Sequence, residues 1–466
     1  MSLDTFFRPK NVAVIGASRD PKKFGHIVLE NFIRSGFSGN VFPVNPNAEK
    51  IMDKRCYASV RDLDVDNIDL AIISIPAAAV LDAVRECVEK GVKSAIIITA
   101  GFSEIGRRDL EEKIMKIAEG KMRIIGPNVI GVYDAHSHVD CIFNPYYRQE
   151  RPPPGGIAFV SQSGAFGTAI LDWASSEGVG LSKFVSIGNA MDVDEIALLE
   201  YLKHDKQTSV IALYLEGTKH GRKLYETLKD VTGEKPVVVL KAGKTEAGQQ
   251  AVMSHTGSLS GNAAVFSGMF KQAGVIEAHS SEELFDFAKA LASQPPPASG
   301  RIQIVTNGGG FGVMASDAVV KFGLKLAELS KEEKNALRKH VPSYATVSNP
   351  LDLTGDADSK RFASVLDVVL KSDNVDGVIV ILLMQISALE TSIVKVLEDM
   401  KSHGKPILVC STGGEFTNAH KKMLEDRSIP VFSTPDKASK AMKVLADSSK
   451  TKVFNIQANN NNKVME

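Results

Sequence analysis

The sequence predicts an α/β protein built from doubly wound, mainly parallel sheets. Short runs rich in valine and isoleucine recur between amphipathic helical patterns, as expected for strands buried on both faces. From residue 1 to about residue 130 these runs recur roughly every 25 residues, the spacing of successive βα units. Two later stretches repeat the pattern of strand, small-residue turn and helix, so we expect two further domains of this class.

The composition is that of an ordinary globular protein and excludes several classes of partner. The chain has 466 residues, 44% of them hydrophobic, and is too long for a single core. Lys plus Arg and Asp plus Glu number 55 each, so no net charge attracts nucleic acid or a membrane surface. No stretch approaches the ~20 apolar residues of a membrane span, and residues 1–10 lack the apolar core of a signal peptide.

The cysteines indicate a reducing compartment. They are scattered along the chain without metal-type spacing, at Cys56, Cys87, Cys141 and Cys410. Such spacing is typical of reduced structural thiols rather than of a disulfide framework. We therefore expect a cytoplasmic protein.

The first predicted domain covers residues 1–150 and contains a Rossmann-like sheet. Its strands are expected at residues 12–15, 41–44, 70–75, 94–99 and 123–125. The proline and glycine cluster of residues 151–156 then marks a boundary.

The second and third predicted domains cover residues 151–294 and 300–450, separated by the proline-rich segment 293–300. Strands are expected at residues 157–161, 184–187, 210–215 and 237–240, and again at 302–306, 378–383, 407–410 and 431–432. Residues 451–466, with four consecutive asparagines, predict a disordered tail. Both domains are predicted to be flavodoxin-like.

These two domains resemble copies of one another. Residues 156–167 align with residues 301–312, and residues 235–240 with residues 405–410. Each copy offers backbone amides at a helix start, where the helix dipole favours an anion. We expect phosphate sites at Ser161, Ser163, Gly164 and Ala165, and at Gly308, Gly309 and Gly310. The alternative is a close-packed turn without a ligand.

The turn at residues 14–25 predicts a third anion site. It follows a strand and opens a helix, so its amides can face a pyrophosphate. Ser18 and Pro21 stand where a dinucleotide fingerprint needs glycine, and residues 45–47 offer no acidic ribose acceptor. NAD is therefore disfavoured, and a nucleotide with a 3′-phosphate, such as coenzyme A, would suit the basic residues Arg19, Lys22, Lys23 and Lys50. A tight turn with solvated lysines is the alternative.

Residues 243–245, Gly-Lys-Thr, resemble the end of a nucleotide-binding P-loop. That motif needs a glycine at position 238, where Val238 lies within a predicted strand. The sequence therefore predicts no nucleoside triphosphate site here.

The segment 254–261 places one imidazole, that of His255, among small residues. Together with residues 243–250 it predicts a long functional loop. A neutral imidazole can attack phosphorus if its other nitrogen donates to a carboxylate. Glu216, at the carboxyl end of a predicted strand, is the candidate partner. The alternatives are a surface histidine and an unpartnered strand-end glutamate.

Together these motifs resemble the α subunit of the NDP-forming acyl-CoA synthetases, specifically the ADP-forming acetate–CoA ligases, relatives of succinyl-CoA synthetase. The resemblance extends to about residue 446. Residues 14–25 resemble the CoA-binding turn, residues 126–128 the Gly-Pro-Asn loop near the thioester, residues 160–164 the phosphate-binding helix start and residues 254–257 the phosphohistidine loop.

The resemblance implies roles for individual residues. His255 is the transient phosphoryl carrier, Glu216 is hydrogen-bonded to it, and Asn128 belongs to the catalytic group. The residues implied to bind CoA are Gly16, Ala17, Ser18, Lys23, Phe24, Gly25, Val44, Asn45, Pro46, Lys50, Ile75, Pro76, Ala100 and Gly101.

The resemblance also implies the reaction and the assembly. Acyl-CoA, ADP and phosphate are interconverted with the free acid, CoA and ATP through an acyl phosphate and a phosphohistidine. No segment resembles an ATP-grasp module, so a separate β subunit, an α2β2 assembly and Mg²⁺ with the nucleotide on that partner are implied. We expect no metal site and no tightly bound cofactor in this chain. An NAD(P)-dependent oxidoreductase and a non-catalytic CoA-sensing module are the competing hypotheses.

Overall fold

A computed structural model describes residues 2–256 and 261–448, with the backbone alone for residues 253–256. The chain packs as two compact units. Of the described residues, the first unit comprises 2–175, 180–231, 237–256 and 261–277, and the second comprises 176–179, 232–236 and 278–448. The predicted boundaries of three separate domains stay a prediction, and the predicted tail lies outside the described residues.

The first unit begins with a parallel sheet. Its strands are β1 (Asn11–Ile15), β2 (Asn40–Val44), β5 (Leu70–Ile73), β6 (Ser94–Ile97) and β7 (Arg123–Ile125), with a separate hairpin of β3 (Lys50–Ile51) and β4 (Lys54–Arg55). The helices are α1 (Asp4–Phe7), α2 (Phe24–Arg34), α3 (Ala77–Lys90) and α4 (Arg108–Ala118). The strand order is β2-β1-β5-β6-β7. Every residue of β5 and β6 is buried, which explains why all of them except Ser94 are apolar.

A second sheet completes this unit. Its strands are β8 (Val132–Asp134), β9 (Val139–Asp140), β10 (Pro154–Ser161), β11 (Leu181–Ser186), β12 (Val210–Leu215), β13 (Val237–Lys241) and β14 (Ile276–Ala278). The helices are α5 (Gly164–Glu177), α6 (Glu195–His204), α7 (Gly221–Val231), α8 (Glu246–Thr256) and α9 (Ala263–Ala273). The strand order is β14-β13-β12-β10-β11-β8-β9. Strand β8 runs antiparallel to β11 and β9, whereas the pairs among β10 to β13 are parallel.

The second unit contains the third sheet. Its strands are β15 (Arg301–Thr306), β16 (Lys325–Leu326), β17 (Leu351–Asp352), β18 (Gly377–Ile381), β19 (Ile407–Cys410) and β20 (Val431–Phe432). The helices are α10 (Ser281–Ser293), α11 (Gly309–Lys321), α12 (Lys331–Arg338), α13 (Ser359–Lys371), α14 (Ile393–Met400), α15 (Glu415–Glu425) and α16 (Pro435–Ser448). The strand order is β16-β15-β18-β19-β20, and β17 also pairs with β15. The predicted α/β class with parallel sheets is confirmed.

The second and third sheets share one topology, as the sequence duplication predicts. With β8, β9 and β17 set aside, β10 lies between β11 and β12, and β15 lies between β16 and β18, which is the 2-1-3-4-5 order of flavodoxin-like folds. The turn after the first strand is also built alike. Ser161 Oγ donates to the carbonyl of Ser163 at 2.7 Å, and Thr306 Oγ1 donates to the carbonyl of Gly308 at 3.0 Å. The duplication therefore extends to individual hydrogen bonds.

The next residue of each turn, Gln162 or Asn307, links the turn to the end of a neighbouring strand, β12 or β18. Gln162 Oε1 accepts the N–H groups of Glu216 and Gly217, and Asn307 Oδ1 accepts the N–H of Leu383 at 2.9 Å. Both copies thus keep the turn. Only the first copy carries a carboxylate at this position, because Leu383 stands there in the second.

The prediction of a long loop over residues 243–261 is wrong in part, because residues 246–256 form helix α8. The Thr245 hydroxyl accepts the N–H of Gly248 at 3.1 Å, and its carbonyl accepts the N–H of Gln249 at 2.8 Å, which caps the helix. Most of the residues that follow are good helix formers, and this propensity outweighs the single internal glycine. Residues 257–260 lie outside the described part of the chain.

No helix in residues 2–256 or 261–448 is long and apolar enough to cross a membrane. The four cysteines are buried and carry free thiols. Burial raises the pKa of the Cys87, Cys141 and Cys410 thiols to about 12, so these groups are inert.

Candidate active site

A cavity of about 1640 Å³ opens at the carboxyl ends of strands from both sheets of the first unit. It is lined by Gly16 after β1 and by Ser74 after β5, and by Gln162 after β10 and Glu216 after β12. In each sheet these two strands are neighbours at the point where the strand order reverses. Open α/β sheets bind ligands at this switch point, and here two such points share one cavity.

The turn after β1 approaches its neighbours too closely for side chains. A Cβ atom added at Gly16 would lie 2.2 Å from the carbonyl oxygen of Ser74, and one at Gly25 would lie 2.0 Å from the carbonyl oxygen of Gly16. Gly16 also has a φ of +92°, which favours glycine. Helix α2 begins at Phe24 directly after the turn. The two glycines therefore let the turn pack against β5 and against itself, and the N-terminus of α2, a favourable place for an anion, lies at the cavity wall.

Most residues predicted to bind CoA line this cavity: Gly16, Ser18, Lys23, Phe24, Gly25, Asn45, Ile75, Pro76 and Ala100. Lys22, noted for its charge, also lines it. The structure therefore brings together residues from four separate segments of the first domain.

Five other residues of that group lie elsewhere. Ala17 and Val44 are buried beneath the turn, and Pro46 is exposed beside it. Lys50 is on the exposed β3–β4 hairpin, where its ammonium pairs with Asp53 Oδ1 at 2.9 Å. The N–H of Gly101 donates to Glu104. None of the five is among the residues that line the cavity.

The Gly-Pro-Asn loop, residues 126–128, forms part of the wall. Gly126 has a φ of +103°, and a Cβ there would lie 2.7 Å from the carbonyl oxygen of Ile97. Asn128 has a φ of +63°, a conformation that asparagine tolerates better than most residues. Its N–H donates to the carbonyl of Thr99 at 3.0 Å, so the loop presents the Asn128 amide at a fixed position.

The sequence did not predict the hydrogen-bonded network of two carboxylates that lies beside Asn128. Asn189 Nδ2 donates to Glu104 Oε2 at 2.7 Å and to Glu111 Oε1 at 2.8 Å, and Asn128 Nδ2 reaches Asn189 Oδ1 at 3.4 Å. Burial alone would raise the pKa of Glu104, but hydrogen bonds from the Gly101 N–H and from Asn189 hold it below its ordinary value. Glu104 is therefore an ionised wall of the cavity.

The only sequence signal for this network is the position of Asn189, shortly after the carboxyl end of β11. Its neighbour Gly188 has a φ of +54°, and a Cβ there would lie 2.3 Å from the carbonyl oxygen of Pro127. The two loops that meet here are about 60 residues apart in the chain.

The predicted phosphate site of the first copy is at the start of α5. Ser163, Gly164 and Ala165 line the cavity, and Ser163 Oγ accepts the N–H of Phe166 at 3.3 Å. The first amides of a helix have no partner within the helix and carry part of its positive dipole. Ser161 is fully buried, and its hydroxyl shapes the turn instead of lining the cavity. Gly308, Gly309 and Gly310 begin α11 in the second unit.

Glu216 lies at the carboxyl end of β12, 7% exposed, and lines the cavity. The Tyr214 hydroxyl donates to its carboxylate, and Tyr214 stacks on Phe166 with ring centroids 4.3 Å apart. Burial, together with the Glu216 charge, raises the pKa of Tyr214 to about 12. Glu216 is therefore held by a neutral phenol on one side, while Gln162 fixes its backbone.

Burial also raises the pKa of a second carboxyl in the wall, that of Glu195 at the start of α6. Gln162 Nε2 reaches Glu195 Oε2 at 3.4 Å and donates to the carbonyl of Gly217 at 2.9 Å. The cavity thus holds carboxyl groups in contrasting environments: Glu104 kept ionised by donors, and Glu195 biased towards its neutral form.

His255 lies in the last turn of helix α8, and its side chain is outside the described residues. The backbone of α8 packs against the turn Ser103–Ile105. Ser103 and Glu104 of that turn line the cavity, so the helix that carries His255 lies beside it.

Three more lining residues carry no sequence motif. Phe143 stacks on Phe24 with centroids 4.3 Å apart, and Lys219 Nζ donates to the carbonyl of Ala190 at 3.1 Å. Arg108 lies at the start of α4. Of these, only Lys219 follows a predicted strand end closely enough to have been found from the sequence.

Comparison with known proteins places this geometry in a family. Family models match three successive segments: a CoA binding domain at residues 10–135, a succinyl-CoA ligase like flavodoxin domain at residues 154–291, and a ligase-CoA domain at residues 302–450. Together they match most of the chain.

Full-length relatives agree with the family models. Acetate–CoA ligase [ADP-forming] I subunit alpha of Pyrococcus furiosus is 39% identical over 463 residues, which cover 97% of this chain and 99% of that one. Acetate–CoA ligase [ADP-forming] of Methanocaldococcus jannaschii is 41% identical over 451 residues, or 96% of this chain and 63% of that longer one.

A solved structure extends the similarity to the whole fold. It is the dinucleotide forming acetyl-coenzyme A synthetase 1 of Ca. Korarchaeum cryptofilum, in complex with phosphate and ADP. It matches with a TM-score of 0.89 and 36% identity, covering 98% of this chain and 99% of that chain. The chain therefore belongs to the family of ADP-forming acyl-CoA synthetases and corresponds to their α subunit.

Proposed function

We propose that this chain, with a nucleotide-binding partner, interconverts acyl-CoA, ADP and phosphate with a carboxylic acid, CoA and ATP. One observation carries the proposal: a single cavity joins the glycine turn after β1, the Asn128 loop, the start of α5 and Glu216. The glycine turn and the Asn128 loop suit CoA and its thioester, the start of α5 suits a phosphate, and Glu216 suits a histidine that accepts the phosphoryl group.

CoA binds across the carboxyl edge of the first sheet. Gly16 and Gly25 let the turn pack tightly against its neighbours, which holds the N-terminus of α2 at the cavity wall for a phosphate, and Lys22 and Lys23 add positive charge at the same wall. The Phe24–Phe143 stack offers an apolar surface to the pantetheine arm. We expect the thioester to point towards Asn128.

The first chemical step forms an acyl phosphate. An oxygen of inorganic phosphate attacks the thioester carbon, the C–S bond breaks, and CoA leaves as a thiolate that takes up a proton. In this proposal the side-chain amide of Asn128, a residue of the cavity wall, donates to the oxyanion, and the first backbone amides of α5 hold the phosphate oxygens. Preorganised donors of this kind stabilise charge as it develops.

The second step transfers the phosphoryl group to His255. An imidazole nitrogen attacks phosphorus, the bond from phosphorus to the acyl oxygen breaks, and the acid leaves as a carboxylate. Glu216 accepts a hydrogen bond from the other ring nitrogen and stabilises the positive charge that forms on the imidazole. The phosphoryl group then passes to ADP on the partner and regenerates the neutral histidine.

Carrying the phosphoryl group to a partner requires the phosphohistidine segment to move. Gly243 and Gly261 flank helix α8 with φ values of +70° and +69°, which makes them suitable hinges. We propose that α8 travels between these hinges to an ATP-grasp β subunit, which holds ADP with Mg²⁺ in an α2β2 assembly in the cytoplasm. The start of α11, with Gly308, Gly309 and Gly310, serves as the second phosphate site.

Phosphorylation of the chain tests the proposal. Labelled ATP, Mg²⁺ and the partner subunit should place an acid-labile, base-stable phosphoryl group on His255. The variant His255→Ala should lose the label, whereas His340→Ala, which removes an exposed histidine of the second unit, should keep it. CoA binding without any phosphoenzyme would instead favour the CoA-sensing alternative, and a preference for NADH over CoA would favour the oxidoreductase.

A further inference from the structure

The last residue of β13 is a buried cation that the proposed reaction does not use. Lys241 is 2% exposed, and its Nζ donates to the carbonyl oxygen of Glu216 at 2.7 Å and to that of Ala242. The ammonium lies 4.9 Å from the ring centroid of Phe266 on α9. It therefore sits where β12 and β13 end, immediately behind Glu216.

A buried ammonium is costly unless its surroundings compensate the charge. Two carbonyl oxygens and one aromatic face compensate Lys241 in part. An apolar side chain of similar length would fill the same space without this cost. The position therefore favours a role that depends on the charge.

We propose that Lys241 is a positioning residue that acts through Glu216: the charge-assisted hydrogen bond from its ammonium to the Glu216 carbonyl fixes the main chain at the end of β12 and so holds the Glu216 carboxylate in place beside His255. This inference rests on the proposed role of Glu216. Lys241 does not line the cavity, so its action is indirect.

The surrounding charges give the inference a pH signature. Burial lowers the pKa of Lys241 to about 8, the negative charge of Glu216 opposes that effect, and Lys244 adds to it. Lys244 is itself paired with Glu277 of β14 at 2.7 Å, and α9 contributes the uncharged Phe266. The ammonium is therefore present below about pH 8 and is lost as the pH rises through that value.

Phosphoenzyme formation from labelled ATP, with Mg²⁺ and the partner subunit, tests the inference between pH 6 and pH 10. In the wild-type chain the rate should fall above about pH 8 as Lys241 loses its proton. In Lys241→Arg the rate of phosphoenzyme formation should begin to fall at least one pH unit higher than in the wild type, since arginine stays charged. Lys241→Met should be about tenfold slower at pH 7 and should lose the decline near pH 8, because methionine cannot make the charge-assisted hydrogen bonds to the Glu216 and Ala242 carbonyls at any pH.

Controls separate this inference from the proposed function. Lys206→Met, which removes an exposed lysine of the same unit, should behave as the wild type, and thermal unfolding of each variant reports folding. If Lys241→Met does not fold, the pH profile of Lys241→Arg decides. If the wild-type chain is labelled and every Lys241 variant shows the same fall in labelling rate above pH 8, the inference is wrong but the proposed function stands. If the wild-type chain is not labelled, the proposed function is wrong.

Discussion

Replacing Gly16 by alanine should weaken both the fold of the first sheet and its affinity for CoA. The new methyl group would lie 2.2 Å from the Ser74 carbonyl oxygen and 2.8 Å from the Ile75 side chain, at a φ of +92°. The left-handed backbone costs about 1–2 kcal/mol for a residue with a Cβ. Moving the backbone away from the methyl group costs about 1–3 kcal/mol more. The expected loss of unfolding free energy is therefore about 2–5 kcal/mol.

A second glycine separates the two contributions. Gly36 has a φ of +80°, and a Cβ there would meet nothing within 4 Å, so Gly36→Ala should show the backbone cost alone. Urea unfolding measures both variants, and calorimetry measures CoA binding. CoA affinity should fall at least about tenfold in Gly16→Ala, because displacing the turn by an ångström disturbs its amides, and should be unchanged in Gly36→Ala. Equal losses of stability in the two variants would refute the reasoning from close approach.

Two carboxylates give further predictions. Glu216→Gln keeps the size but removes the charge, so phosphoenzyme formation should slow roughly 10- to 100-fold, as expected from about 1.5–3 kcal/mol for a hydrogen bond to a charged group. An unchanged rate would remove Glu216 from the mechanism, and Glu226→Gln, at an exposed position on α7, is the control. Because the pKa of Glu104 is lowered in the folded chain, it contributes stability above its unfolded pKa of about 4.3, which is lost as the pH falls through its folded value. Glu104→Gln should therefore flatten the dependence of unfolding free energy on pH between pH 6 and pH 3, and an unchanged slope would contradict this account.

The strands could be predicted because their signal is local. Fully buried parallel strands read as short apolar runs, and residues 210–215 were predicted to form the strand that the structure places at β12 (Val210–Leu215). Helix α8 was missed because its small polar residues carry no apolar face. Its existence depends on the Thr245 cap and on backbone propensity, which are weak signals in a single sequence.

The candidate site could also be predicted only where its residues follow a local signal. Gly16, Ser163 and Glu216 follow predicted strands directly, and the carboxyl ends of parallel strands gather ligands, so their convergence could be predicted. Glu104 and Asn189 reach the cavity from loops far apart in the chain, and only tertiary packing pairs them. Lys50 was named for its charge and for the resemblance; it pairs with Asp53 on the β3–β4 hairpin, outside the residues that line the cavity.

The most direct test of the central claim is a single-turnover chase on the phosphorylated chain, purified away from nucleotide and partner. If the chain holds the whole acyl-transfer site, adding a carboxylic acid together with CoA should release the label as inorganic phosphate and form one equivalent of acyl-CoA. Neither compound alone should complete this exchange. A phosphorylated chain that yields no acyl-CoA when both are present, or a chain that yields as much acyl-CoA without prior phosphorylation, would contradict the account.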